Sequence, residues 1–162
     1  MENVIFDTAG FLAGLENYFD RVYTTPLVMN EVKDYVSRSL LSLASSSGKI
    51  IILEPEKRNI DITNNTLRKI GEYSLSKTDI SIIALALQLQ PSIVFTDDFS
   101  VQNILLKLGI KFNSVKLNRS IKYEREYYYV CENCGKVYQR KKESCDICGG
   151  KIIKKSKLDS KK

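Results

Sequence analysis

The stretch from Ser92 to Asn103, SIVFTDDFSVQN, constrains the fold more than any other part of the chain. Ile93 to Phe95 reads as a short buried strand that ends in Asp97 and Asp98, after which Val101, Ile104, Leu105 and Leu108 recur at helical spacing. A strand that ends in acid and turns at once into a helix sets that acid at the carboxyl edge of a sheet, where open α/β folds bind ligands. The simpler role for Asp98 is an N-cap that accepts from the first free N–H groups of the helix. The pattern recurs, however, because Val4-Ile5-Phe6 ends in Asp7 and leads into a helix expected from Thr8 to Leu15, with the same capping alternative.

Further carboxylates fall at inward-facing positions of other helices. Thr24-Thr25-Pro26 opens a helix, with proline in the first turn where its missing N–H costs nothing, and the pattern carries it to about Leu43. On it Glu31 has Leu27 at i−4, Val28 at i−3 and Tyr35 at i+4, so it is expected to face inward, where a carboxylate needs a partner or a metal. Lys33 and Asp34 read as solvated charges. Ser76-Lys77-Thr78-Asp79 has the spacing of a capping box, which is the simpler reading of Asp79 by itself. Ile82 and Ile83 at i+3 and i+4 nevertheless put Asp79 at the inner rim of a largely buried helix.

Between these elements, Ile50 to Leu53 reads as a fully buried strand, Glu54 to Asp61 as a flexible polar loop, Ile62 to Gly71 as a helix and Ile110 to Val115 as an edge strand. Four or five short strands alternating with helices predict a three-layer α/β domain with a parallel sheet over residues 1–117. Residues 118–126 read as a charged linker.

All cysteines lie in the next segment, as Cys131-x-x-Cys134-Gly and Cys145-x-x-Cys148-Gly. This spacing predicts a four-thiolate Zn²⁺ ribbon over 127–153, structural because no coordination position is left open. Residues 154–162 are too polar to fold alone and read as a basic tail. Residues 1–115 carry 11 Lys and Arg against 13 Asp and Glu, whereas residues 116–162 carry 14 against 6. That split suits a second module that holds a polyanion, with a solubilising tail as the alternative. Lys122, Arg125, Lys136, Tyr138, Arg140, Lys141 and Lys142, together with Tyr127 to Tyr129, form the basic and aromatic mixture that binds RNA, although one or two of the tyrosines are expected to pack the ribbon's own core.

The chain has no histidine, which excludes histidine nucleophile activation, histidine acid–base work and histidine metal ligands. Met1-Glu2-Asn3 lacks the basic start of a signal peptide, and no apolar run is long enough to span a bilayer, so a reducing, cytoplasmic setting is expected.

Taken in order, Asp7, Glu31, Asp79 within S-x-x-D-I-x-I-I-A-L, and T-D-D-F-S-V-Q-N resemble the PIN-domain ribonucleases. With the C-x-x-C-G ribbon behind them they resemble in particular the archaeal Nin-one-binding endonucleases, which trim the 3′ end of small-subunit ribosomal RNA. The resemblance implies that Asp7, Glu31, Asp79 and the Asp97/Asp98 pair bind Mg²⁺ or Mn²⁺. It implies products with a 5′ phosphate and a 3′ hydroxyl, and precursor small-subunit (16S) rRNA in the pre-30S particle as partner, other assembly factors possible. Thr8 and Thr96 are read as cap and strand residues, with hydrogen bonding to the acids as the alternative. Two rival functions stand beside this one: a metal-free RNA-binding assembly factor, and a toxin-type PIN nuclease acting on transfer or messenger RNA.

Overall fold

The computed structural model describes residues 1–32, 46–115 and 127–156. Strands β1 (Asn3–Phe6), β2 (Val22–Thr24), β3 (Ile50–Ile52), β4 (Ser92–Phe95) and β5 (Lys111–Asn113) form one parallel sheet in the order β3-β2-β1-β4-β5. Neighbouring residues on a strand point to opposite faces, and Ile5 and Phe6 are both fully buried, so the central strand is covered on both sides. The covering helices are α1 (Thr8–Leu12), α2 (Pro26–Val32), α3 (Lys57–Ile70), α4 (Lys77–Gln88) and α5 (Phe99–Lys107), with a 3₁₀ turn at Leu15–Tyr18. Phe6 meets Phe11, Phe19 and Phe95 edge-on, and Ile82 to Ala86 of α4 are all buried. A helix buried on so many faces belongs to the centre of the domain.

The order of strands decides where the chemistry sits. From β1 the chain steps to β2 and β3 on one side, then returns to β4 beside β1 and continues to β5 on the other, so the direction of winding reverses between β1 and β4. Crevices at such reversals, beyond the carboxyl ends of the strands, are the ligand sites of open α/β sheets. Phe6 pairs with Phe95 in register, which makes Asp7 and Thr96 neighbours at that crevice.

Several expectations change. The segment 54–61 is not a flexible loop throughout, because α3 already begins at Lys57. Its inner face is Asn59, Thr63, Leu67 and Ile70, a helical stripe whose first half is polar and therefore silent to a hydrophobicity pattern. Helix α1 stops at Leu12, since Gly14 takes a left-handed φ of 69° and the chain tightens into the 3₁₀ turn. The expected continuation of α2 through Lys33, Asp34 and Tyr35 to Leu43 lies outside the described residues, as do Leu117 and the linker 118–126.

The second module is an antiparallel sheet of β6 (Tyr127–Cys131), β7 (Val137–Tyr138) and β8 (Ile152–Ser156), in the order β7-β6-β8. Lys154 and Lys155, expected in a tail, pair with Tyr129 and Tyr128 in β8, because a strand needs only a partner for its backbone and not an apolar sequence. No helix among the described residues is long and apolar enough to cross a membrane.

Candidate active site

Four acids converge on the crevice, three of them held by local hydrogen bonds. Asp7 caps α1, its Oδ1 accepting the N–H groups of Ala9 at 2.9 Å and Gly10 at 3.4 Å. Asp79 completes the capping box: its Oδ2 accepts from the Ser76 N–H at 3.0 Å and the Ser76 hydroxyl at 2.9 Å, and its own N–H donates to Ser76 Oγ at 3.1 Å. Asp98 caps α5 through the N–H groups of Ser100 at 2.8 Å and Val101 at 3.2 Å. The capping role and the place at the crevice thus coincide in three of the acids.

Glu31 differs from its expected setting. It is exposed at the rim, and hydroxyls rather than burial hold it, Thr8 donating to Oε2 at 2.9 Å and Thr78 to Oε1 at 2.8 Å. Thr25 and Ser81, whose hydroxyls lie 2.8 Å apart, tie the start of α2 to α4 and so bring Glu31 to Thr78. Thr8 and Thr96 are more than cap and strand residues. Thr8 holds Glu31, while buried Thr96 hydrogen-bonds to the Asp7 side chain and accepts the Asp98 N–H at 3.2 Å. Nothing in the sequence singles out Thr78, because its partner lies 47 positions away in the chain.

The adjacent aspartates part company. Asp97 Oδ1 accepts from the Ser114 hydroxyl at 2.6 Å and the Val115 N–H at 2.8 Å, tying the end of β4 to the chain beyond β5. Asp98 acts electrostatically on Asp79. Buried Gln102 fixes this turn by donating from Nε2 to the Thr96 carbonyl at 2.9 Å.

The acids share one negative field. Burial, opposed by hydrogen bonds from Thr96, Gly10 and Ala9 and reinforced by the charge of Asp79, raises the Asp7 carboxyl from its ordinary 3.8 to about 6. Burial also raises Asp79, against the hydrogen bonds of Ser76 and with help from Asp98 and Glu31. Among the described residues no lysine or arginine forms an ion pair with any of the four. An all-oxygen donor set of uncompensated charge fits a hard divalent cation. Among the described residues only the cysteines gather three or more ligand atoms within 4.8 Å.

The cysteines are arranged for zinc. Cys131 and Cys148 sulfurs lie 3.4 Å apart and those of Cys134 and Cys145 3.5 Å, close to the edge of about 3.8 Å in a tetrahedron with Zn–S bonds near 2.3 Å. A Cβ on Gly150 would sit 2.9 Å from the Cys131 sulfur, so the thiolate cluster closes over a residue that must lack a side chain. The Tyr138 hydroxyl, and then the Cys148 N–H, pull the Cys145 thiol down to about 6, toward the ionised form a metal takes.

Tyr138 takes the packing role expected of one or two of the tyrosines. It is buried in the ribbon core, its hydroxyl 3.2 Å from the Cys145 sulfur and accepting the Asp146 N–H at 3.0 Å. Lys142 pairs with Asp146 and, like Lys136, has its ammonium over the Tyr138 ring, and Lys136, Arg140, Lys141 and Lys142 are all exposed. Lys122 and Arg125 lie outside the described residues. Arg140 joins Arg68 and Lys69 of α3 around a cleft of about 100 Å³ that Tyr73 and Tyr127 also line. Arg68 and Lys69 carry no signal of this in sequence, where they are two solvated charges at a helix end.

Residues 4–89 match the family model described as the PIN domain of ribonuclease, so the class of the protein is that of the PIN-domain ribonucleases. The chain is 38% identical to Endoribonuclease Nob1 of Pyrococcus abyssi over 92% of its own length and 91% of that protein's. It is 36% identical to Ribonuclease VapC3 of Aeropyrum pernix over 67% of the chain and 83% of that protein. A further similarity, 34% over 46% of the chain and 17% of the relative, is to the 20S-pre-rRNA D-site endonuclease NOB1 of Saccharomyces cerevisiae. The chain belongs to the Endoribonuclease Nob1 family of PIN-domain ribonucleases.

Proposed function

We propose that this protein is an endoribonuclease that matures the 3′ end of precursor small-subunit (16S) rRNA within the pre-30S particle, using Mg²⁺ or Mn²⁺ held by Asp7, Glu31, Asp79 and Asp98. The observation that carries the reading is the convergence of these acids, without a cationic partner among the described residues, on the crevice between β1 and β4. When bound, such an ion offsets the charge of the scissile phosphate and makes water a stronger nucleophile. The chain's own part is to hold the carboxylates ready. Thr8 and Thr78 fix both oxygens of Glu31, Ser76 fixes Asp79, and Thr96 fixes Asp7. Asp97 is tied through Oδ1 to Ser114 and Val115 beyond β5, and Asp98, whose charge acts on Asp79, is the member of the pair proposed as ligand.

Relatives named Nob1 and VapC both match over about nine tenths of the chain, at 38% identity for the Pyrococcus Nob1 and 30% for Ribonuclease VapC1 of Thermoplasma acidophilum. The higher identity to Nob1, and the yeast relative's name as a 20S-pre-rRNA endonuclease, favour ribosomal RNA over a toxin-type target. Zn²⁺ in the ribbon has a structural role, and the exposed Lys136, Arg140, Lys141 and Lys142 are its RNA contacts. Incubating the protein with precursor small subunits, with and without Mn²⁺, and mapping the RNA ends tests the proposal. New 3′ hydroxyl ends at the mature terminus, dependent on the ion, support it. Cleavage of transfer or messenger RNA with ribosomal RNA left whole overturns it.

A further inference from the structure

Glu72 is a buried carboxylate whose charge partner comes from the other module. It lies in the segment 71–76 between α3 and α4 with its side chain fully covered. Its Oε1 accepts the Ser74 N–H at 2.8 Å, and its Oε2 accepts from Nζ of Lys154, on β8 of the ribbon, at 2.7 Å. Burial alone would raise the Glu72 carboxyl, but Lys154 and Ser74 outweigh it and hold the group below the ordinary carboxylate value. The Lys154 ammonium also sits 3.9 Å from the centre of the Tyr127 ring. Around this pair the two backbones come close. Tyr129 donates its hydroxyl to the Gly71 carbonyl at 3.0 Å, and a Cβ at Gly71 would lie only 2.7 Å from the Tyr127 carbonyl oxygen.

The segment so gripped leads directly into the candidate site. Ser76, which ends it, caps α4 and binds Asp79, and Thr78 in the same turn holds Glu31. A buried carboxylate without its cation is strongly unfavourable, so withdrawing Lys154 forces Glu72 toward water and with it the start of α4. We propose that the Glu72–Lys154 pair is a latch through which the docked ribbon positions Thr78 and Asp79, making Glu72 and Lys154 positioning residues for cleavage. The role in cleavage rests on the metal-nuclease reading above; the mechanical coupling does not.

The test uses the full chain with Lys154→Met and Lys154→Arg. Lys154→Met should speed amide exchange over residues 71–79 by about tenfold or more, with zinc content unchanged. At saturating RNA its kcat should fall by about tenfold while KM stays within about twofold, and Lys154→Arg should restore both readouts. If Lys154 merely holds an RNA phosphate, the substitution would instead raise KM and leave exchange at 71–79 alone, which overturns the proposal. Faster exchange with unchanged kcat overturns the positioning role. If Lys154→Met loses zinc, Glu72→Gln, which leaves the ribbon's sequence intact, decides by the same readouts. A parent protein that fails to cut refutes the nuclease reading, and the exchange comparison still judges the coupling.

Discussion

Asp7 shows how one residue can serve two masters. It caps α1 and yet sits where burial and Asp79 raise its carboxyl to about 6. A carboxyl whose folded value lies above its unfolded one binds more protons when folded, so stability falls as pH rises from about 4 through about 6. Asp7→Asn, which keeps the cap and removes the charge, should therefore stabilise the metal-free protein by about 2–3 kcal/mol at pH 7. The gain should vanish below about pH 4, and urea unfolding at both pH values without divalent ions measures it. At the same scale, Thr78→Val should weaken Mn²⁺ binding about 10- to 100-fold while Thr78→Ser keeps it, since only the hydroxyl reaches Glu31; titration calorimetry separates the two. Asp7, Asp79 and Asp98 are legible in the sequence because each stands at a strand end or helix cap that local spacing reveals, whereas the spacing that singles out Glu31 predicts an inward setting and the residue is exposed. The hydroxyls that orient them are less so: Thr8 and Thr96 appear in the sequence only as an alternative to cap and strand roles and Thr78 not at all, because Thr8 and Thr78 act across the fold on Glu31.

At the scale of elements, what can be read is what carries a strong period. β1, β3, β4, α4 and α5 announce themselves by apolar runs or helical spacing. β2 is only Val22–Thr24 and has no run to detect, and it becomes a strand by lying between β1 and β3. The first half of α3 hides for the opposite reason, because Asn59 and Thr63 occupy its buried face. The ribbon is legible from its cysteine spacing, but Tyr138 is not, since a tyrosine among lysines looks the same in sequence whether it stacks on a base or closes a metal core. Cys145→Ser should unfold the ribbon and leave the first domain folded, because metal binding supplies most of the folding free energy of so small a module. Loss of zinc with retained far-ultraviolet helix signal is the expected result. Collapse of the helix signal would mean that the first domain depends on the ribbon for its fold.

For the whole molecule, an acidic first domain and a basic ribbon meet at the cleft lined by Arg68, Lys69 and Arg140. RNA affinity should fall steeply with potassium chloride, and Arg68→Ala with Arg140→Ala should make the log–log slope shallower by about 0.7 to 0.9 for each phosphate that the two guanidinium groups neutralise. Equal slopes would place the RNA elsewhere. The central claim, that Asp7, Glu31, Asp79 and Asp98 form a metal-dependent cleavage centre, is tested most directly by the rate at which Asp7→Asn cuts precursor small-subunit RNA in the presence of Mn²⁺. The predicted result is a loss of about 100-fold or more with zinc content and RNA affinity unchanged. A variant that cuts as fast as the parent would contradict it.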